Sequence, residues 1–328
     1  MGTKKFSEEW ISKYKRAHYK LIGNYLHSAV SICRWTKSAL RGGRNCYKKW
    51  YGIASHRCIQ MTPTLDFCNF SCGFCWRSFS EERFKHENKW DDAKLIVEQA
   101  IKAQRELISG FGGNPKTSKK TFEEANNPVH FAISLDGEPT LYPHLAELIK
   151  EIKRRNCTAF LVTNGTMPNR LKELLEKDAI PTNLYISVYA TNNEEYIKIT
   201  NSFIKNPLDK VIESLNLMKE FEKRNCRTIF RITCVKDLNM HNSKGFSNLI
   251  KMSKPMFVEL KGYAWLGESR KRLKNTNMPT LEELIEFGKQ ISFYSNYEIK
   301  LTDNASRVVL LARDENTFKN YIVNASSN

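Results

Sequence analysis

From residue 58 onward the chain alternates short runs rich in β-branched and aromatic residues with longer stretches of helical apolar spacing. The β-rich runs are CIQMTPTL (58–65), VHFAISL (129–135), TAFLVT (158–163), NLYISVYA (183–190), TIFRITCV (228–235) and FVELKGY (257–263). Helical spacing covers 91–109, 144–155, 168–177, 207–224 and 279–294. Six such alternations predict an α/β fold of parallel strands with right-handed crossovers, as an open sheet or a partly closed barrel. Residues 110–127, GFGGNPKTSKKTFEEANN, read as an exposed insertion. They lack the Gly-Lys-Ser/Thr ending of a phosphate loop. Residues 1–57 read as a helical extension, 58–295 as the core, and 296–328 as a C-terminal segment packing on that core.

A chain of 328 residues with 41% apolar content can bury a sizeable core. No apolar run reaches the 18 or so residues of a membrane span, and MGTKKFSEEW lacks the apolar stretch of a secretory signal. A cytoplasmic protein with no membrane association is expected. In a reducing compartment nine cysteines are poor material for disulfides, and thiols at short spacing point to metal ligation or catalysis. The formal net charge of +17 calls for a polyanionic partner. Residues 1–50 carry 12 basic and 2 acidic side chains, and a second knot holds Arg270, Lys271, Arg272 and Lys274. Tyr14, Tyr19, Trp35, Tyr47, Trp50, Tyr263 and Trp265 lie among or near these charges. Cations on phosphates with aromatic faces against splayed bases would suit single-stranded loops of RNA. A merely solvated basic surface is the alternative reading.

Parallel α/β folds build their sites at the C-terminal ends of the strands. The first strand is followed by Cys68, Cys72 and Cys75, spaced C-x3-C-x2-C, the second by DGEPT (136–140), and the third ends in TNGT (163–166). Ser187 falls on the fourth strand, Arg231 and Thr233 on the fifth, Glu259 and Lys261 on the sixth. Three thiolates could ligate three irons of a [4Fe–4S] cluster and leave the fourth open to a chelating amine and carboxylate. A zinc knuckle completed by a distant histidine is the alternative. Cys157, Cys226 and Cys234 read as buried small residues.

The cysteine spacing, with Phe74 before the last cysteine, resembles the radical SAM superfamily, and DGEP is similar to that family's Gly-Gly-Glu-Pro motif, with Asp136 in place of the first glycine. The resemblance implies a partial (β/α)6-type radical SAM barrel behind the basic extension. It also implies contacts to S-adenosylmethionine (SAM) from Phe74, Gly137, Glu138, Pro139, Asn164, Ser187, Arg231 and Thr233. Cys33, Cys46 and Cys58 recur upstream with 12 and then 11 residues between them. With SLDGEPTLYP, LVTNGT, FVELKGYAWLGESRKRL and NMP (277–279), the chain from about 25 to 312 resembles the archaeal wybutosine-pathway radical SAM enzymes, the 4-demethylwyosine synthases.

That resemblance implies two [4Fe–4S] clusters, one on each cysteine triplet, and SAM. It further implies condensation of N1-methylguanosine at position 37 of tRNA-Phe with a two-carbon unit from pyruvate. Pyruvate would be held by the open iron on Cys33, Cys46 and Cys58, or as a Schiff base on Lys48. Arg270, Lys271, Arg272 and Lys274 are expected to touch tRNA. An external electron donor such as a flavodoxin or ferredoxin is implied, and a monomer is expected. A zinc-dependent RNA-binding protein and a different radical SAM enzyme are the competing functions.

Overall fold

The computed structural model describes residues 6–79 and 89–323, and the first five residues of the expected extension and the last five of the C-terminal segment lie outside them. Two compact units divide the chain: residues 1–68, 79–162 and 176–182 form one, and residues 69–78, 163–175 and 183–328 form the other.

In the first unit, α1 (Glu8–Arg16) starts where Ser7 Oγ accepts Trp10 N–H, with Glu8 and Glu9 in its first turn and basic residues in its last, the polarity a helix dipole favours. Two short strands follow, β1 (Lys20–Ile22) and β2 (Ser28–Ser31), then α2 (Arg34–Leu40) and β3 (Cys58–Thr62). Next come α3 (Ala93–Ile108), α4 (Lys119–Ala125), β4 (His130–Ile133), α5 (Leu145–Arg154) and β5 (Thr158–Thr163). Strands β3, β4 and β5 pair in parallel, as the alternation requires. β2 pairs antiparallel with β3, and β1 with β2.

Residues 6–57 therefore do not form a separate helical extension. Ala29, Val30 and Ser31 sit opposite Thr62, Met61 and Gln60 in one ladder, and Ala29 and Val30 are fully buried. The aromatics among the basic residues are core as well. Phe6 stacks on Trp10 at 4.0 Å between centroids, Trp10 meets Tyr14 at 4.7 Å, and Tyr14 meets Tyr19 edge-on at 5.2 Å. Tyr47, Trp50 and Tyr263 are buried too, so of the seven aromatics only Trp35 and Trp265 are partly exposed. Burying such rings contributes more than leaving them for a transient base. The expected insertion at 110–127 contains α4, whose buried Ala125 packs with Leu40 and Ile108.

The second unit contains α6 (Pro168–Glu176), β6 (Asn183–Val188), α7 (Asn193–Thr200), α8 (Pro207–Asn216), α9 (Met218–Lys223), β7 (Arg227–Cys234) and α10 (Ser243–Ser253). It continues with β8 (Phe257–Gly262), α11 (Leu281–Ser295), β9 (Glu298–Asp303), β10 (Val308–Ala312) and α12 (Glu315–Tyr321). β6, β7 and β8 pair in parallel, and every residue of β6 is buried, the signature of a strand covered on both faces. The C-terminal segment joins the sheet instead of packing on it: β10 pairs antiparallel with β8, and β9 with β10. Its VVLLA run is wholly buried. Among the described residues no helix is long and apolar enough to cross a membrane.

Candidate functional site

In the first unit the turn after β4 is shaped by Gly137. Its φ is +64°, and a Cβ there would stand 1.8 Å from Thr64 O and 2.5 Å from Phe67 O. Only glycine lets DGEPT lie against the chain leading into Cys68. Glu138 N–H donates to Phe67 O at 2.7 Å, and Thr62 Oγ1 donates to Asp136 O at 2.5 Å. The Glu138 side chain is 2% exposed, and its Oε1 accepts both Thr140 N–H (3.0 Å) and Thr140 Oγ–H (2.6 Å). Pro139 opens the short 3-10 turn that follows. Trp10 Nε1 donates to Asp66 Oδ2 at 3.0 Å, tying α1 to the approach to Cys68.

The same unit gathers the upstream thiols. Cys33 caps α2, its Sγ accepting Thr36 N–H at 3.4 Å. Thr36 Oγ1 donates to Ser55 O at 2.9 Å, and Ser55 Oγ accepts Cys46 N–H at 2.8 Å, so one small network holds both cysteines. Cys58 opens β3 opposite His130. Burial and the charges of Cys33 and Cys46 push the Cys58 thiol up to about 12, while the Lys48 ammonium pulls it down. Cys33, Cys46 and Lys48 thus all stand within electrostatic reach of Cys58. Lys48 is half-buried, with Nζ 5.4 Å from the Phe160 ring centroid. His130 Nε2 accepts Ala54 N–H at 3.3 Å, leaving the proton on Nδ1 to reach Thr158 Oγ1 at 2.8 Å; burial, then the charges of Arg57 and His56, lower its pKa to about 4.

In the second unit, Ser71 N–H donates to Thr200 O (2.8 Å) and Gly73 N–H to Ile199 O (3.1 Å), fastening the segment bearing Cys72, Phe74 and Cys75 to the end of α7. Cys72 is buried and Cys75 partly exposed. Asn164 Nδ2 donates to Asn69 Oδ1, Asn69 Nδ2 to Thr166 Oγ1, and Thr166 Oγ1 to Asn164 Oδ1, each at 2.6 Å. This closed ring locks the TNGT turn, and Ser214 Oγ holds its Gly165 O at 2.6 Å. Ser187, Arg231 and Glu259 are register partners on β6, β7 and β8, and Thr233 faces Lys261 one step on. By strand alternation these five polar residues share one face. Glu259 is fully buried, and the Lys261 ammonium donates to Ser306 O.

The basic knot divides. Arg270 is exposed over Trp265 at 5.0 Å, Lys271 pairs with Glu268 at 2.9 Å, and Lys274 is exposed. Arg272 instead donates to the carbonyls of Gly73, Cys75 and Arg77. Cys157, Cys226 and Cys234 are buried as expected, and none of the nine cysteines forms a disulfide.

Residues 118–244 match the radical SAM superfamily, and residues 252–313 match the family of wyosine base formation. A relative from Pyrococcus horikoshii, an S-adenosyl-L-methionine-dependent tRNA 4-demethylwyosine synthase, is 44% identical over 94% of this chain and 90% of its own. The chain belongs to the tRNA 4-demethylwyosine synthase family. It has the radical SAM α/β fold. A structure of TYW1 with a lysine–pyruvate adduct bound superposes with a TM-score of 0.83, at 33% identity, over 94% of this chain and 96% of that one. Archaeal TYW1 gives 0.76 at 30% identity over 98% and 99%.

Radical SAM membership implies SAM and a [4Fe–4S] cluster. The cysteine loop fits such a group: Ser71 Oγ, between Cys68 and Cys72, is buried with no hydrogen-bond partner among the described residues, a donor left for what the loop would hold. Among those residues no three His, Cys, Asp or Glu side chains converge on a point that would hold one metal ion. Cluster thiolates each take a different iron and need no such convergence. In this synthase family member the Asn69–Asn164–Thr166 ring and the grip of Arg272 on the cysteine loop were beyond sequence reasoning, since each needs partners distant in the chain, while the Thr140 bonds to Glu138 two residues away depend on the fold of the turn. Glu259 was visible only as a carboxylate on a β-rich run.

Proposed function

We propose that the chain condenses N1-methylguanosine at position 37 of tRNA-Phe with a two-carbon unit of pyruvate, forming 4-demethylwyosine. The 44% identity to a named tRNA 4-demethylwyosine synthase along nearly the whole of both chains carries this reading. With SAM bound, a [4Fe–4S] cluster on Cys68, Cys72 and Cys75 supplies reducing power to the sulfonium and so a carbon radical able to abstract hydrogen. Glu138 receives the SAM ammonium, with Thr140 fixing the carboxylate by two bonds to Oε1. Gly137 and Pro139 shape the backbone beneath it, and Phe74, Asn164, Ser187, Arg231 and Thr233 supply the remaining contacts. Cys33, Cys46 and Cys58 hold a second [4Fe–4S] cluster.

Lys48 carries pyruvate. Its Nζ adds to the ketone carbon and water leaves, so that an imine presents pyruvate to a carbon radical; the new bond forms at the former ketone carbon, and scission of the C1–C2 bond releases the carboxylate carbon and leaves the two-carbon unit. The TYW1 relative with a lysine–pyruvate adduct supports a lysine over iron chelation alone. Arg270, Lys271 and Lys274 meet tRNA phosphates, and an external flavodoxin or ferredoxin supplies electrons. The test is an anaerobic reaction with m1G-containing tRNA, SAM and pyruvate, measuring modified nucleoside and borohydride-trapped pyruvate by mass spectrometry. The tricyclic base should form, with a trapped adduct on Lys48. Lys48→Ala should lose both, and turnover persisting in that variant returns pyruvate to the iron.

A further inference from the structure

Residues 73–77, which include the last cysteine of the C-x3-C-x2-C loop, are gripped from one side. Arg272 Nε donates to Gly73 O at 3.1 Å, and Nη2 donates to Cys75 O and, at 3.4 Å, to Arg77 O. Trp76 O accepts Glu268 N–H at 2.9 Å. Gly267, with φ +54°, comes so close that a Cβ would stand 2.2 Å from Trp76 O. Four of five consecutive carbonyls are therefore held by the stretch 267–272. A trans peptide points its C=O and the following N–H in opposite directions. Holding Gly73 O and Cys75 O toward Arg272 turns the N–H groups of Phe74 and Trp76 the other way. Neither of these two N–H groups finds a protein acceptor among the described residues.

We propose that Arg272 is a positioning residue of the cysteine loop and not a phosphate contact: it aims the Phe74 and Trp76 N–H groups at the sulfurs of the cluster ligated by Cys72 and Cys75. Hydrogen bonds to cluster sulfurs and nearby positive charge both favour the reduced state, so Arg272 raises the reduction potential. A guanidinium suits this task because its rigid planar fork reaches several separated carbonyls in fixed directions, whereas the three donors of an ammonium radiate from a single nitrogen. The inference rests on the cysteine triplet holding the radical SAM cluster. Arg272 is itself exposed, but its guanidinium is engaged by three carbonyls, which leaves Arg270, Lys271 and Lys274 as the tRNA-facing part of the knot.

The test compares the full-length wild type with Arg272→Ala and Arg272→Lys, each reconstituted anaerobically. The cluster is followed through the electron paramagnetic resonance component that SAM perturbs. Three quantities are read: its midpoint potential, the rate of iron release to a chelator, and affinity for tRNA by filter binding. Arg272→Ala should lower the reduction equilibrium about tenfold, about 59 mV for a one-electron couple. Iron release should quicken by about tenfold or more, since even one of the three lost charge-assisted hydrogen bonds is worth that much, while tRNA affinity stays the same. Arg272→Lys should recover part of the potential through its charge but not the iron retention. An Arg272→Ala protein with wild-type potential and iron release overturns the proposal, whatever its tRNA affinity. If the alanine variant retains no cluster, wild-type potential and iron release in Arg272→Lys overturn it equally. A wild type without any SAM-perturbed signal instead refutes the cluster assignment itself.

Discussion

Gly137 and Glu138 show how much chemistry two adjacent positions can carry. The glycine admits a backbone that any Cβ would block at 1.8 Å, and the next residue then presents a buried carboxylate bonded twice by Thr140. Burying a carboxylate is costly unless its oxygens are bonded, and a ligand ammonium would complete the set. Glu138→Ala should therefore weaken SAM binding about ten- to hundred-fold, the loss of one charge-assisted hydrogen bond of about 1.5–3 kcal/mol, with iron content unchanged. Equilibrium dialysis with labelled SAM measures this, and wild-type affinity would remove Glu138 from the site.

At the scale of elements, His130 ties the start of β4 to Ala54, ahead of β3, and to Thr158 on β5. Its Nε2 must stay unprotonated to accept Ala54 N–H, and burial beside Arg57 and His56 holds its pKa near 4, below the ordinary 6.5. An unfolded chain takes up that proton first as the pH falls. The stabilisation is thus complete above pH 6.5 and is lost as pH drops from there toward 4. Urea unfolding at pH 7.5 and pH 5 should show a larger fall in midpoint for the wild type than for His130→Gln. Equal falls would mean that His130 does not govern the acid sensitivity. At the opposite end of the chain, α11 starts with a reciprocal capping box between Thr280 and Glu283, which explains why its boundary was readable within two residues.

For the whole molecule, charge and cysteine usage set the expected behaviour. The +17 excess should make tRNA binding fall steeply with salt through counterion release. Changing Arg270, Lys271 and Lys274 together to Ala should weaken filter-binding affinity and flatten the slope of log K against log salt. An unaltered slope would assign that face to solvent. The two thiol triplets should fail differently when broken. Cys72→Ala should abolish reductive SAM cleavage together with product. Cys46→Ala should leave some uncoupled 5′-deoxyadenosine but no tricyclic base, because without the second cluster the pyruvate imine on Lys48, two residues away, is no longer held in place for the radical. Both products are quantified from one anaerobic reaction, and normal tricyclic base from Cys46→Ala would make Cys33, Cys46 and Cys58 merely structural.

The six parallel strands, five of the helical stretches, the cysteine loop and the DGEPT turn were legible in the sequence, because each is a local pattern: period-two or period-3.6 hydrophobicity, or a motif a few residues long. Burial of Cys157, Cys226 and Cys234 followed from their place in or beside β-rich runs. The antiparallel strands that flank the parallel ones were not legible. β1 and β2 are three and four residues long, and β9 and β10 form a hairpin whose strand identity comes from pairing with β8. Composition could not tell buried Tyr14 and Tyr19 from rings exposed to a base, because burial depends on the other members of the cluster. Nor could it separate Arg272 from Arg270 two residues away, one gripping carbonyls about 200 positions earlier in the chain and the other bonding the nearby Trp265 O. Those outcomes belong to tertiary structure because a hydrogen bond or a buried ring is a relation between distant segments, and no short-range pattern encodes which segments will meet.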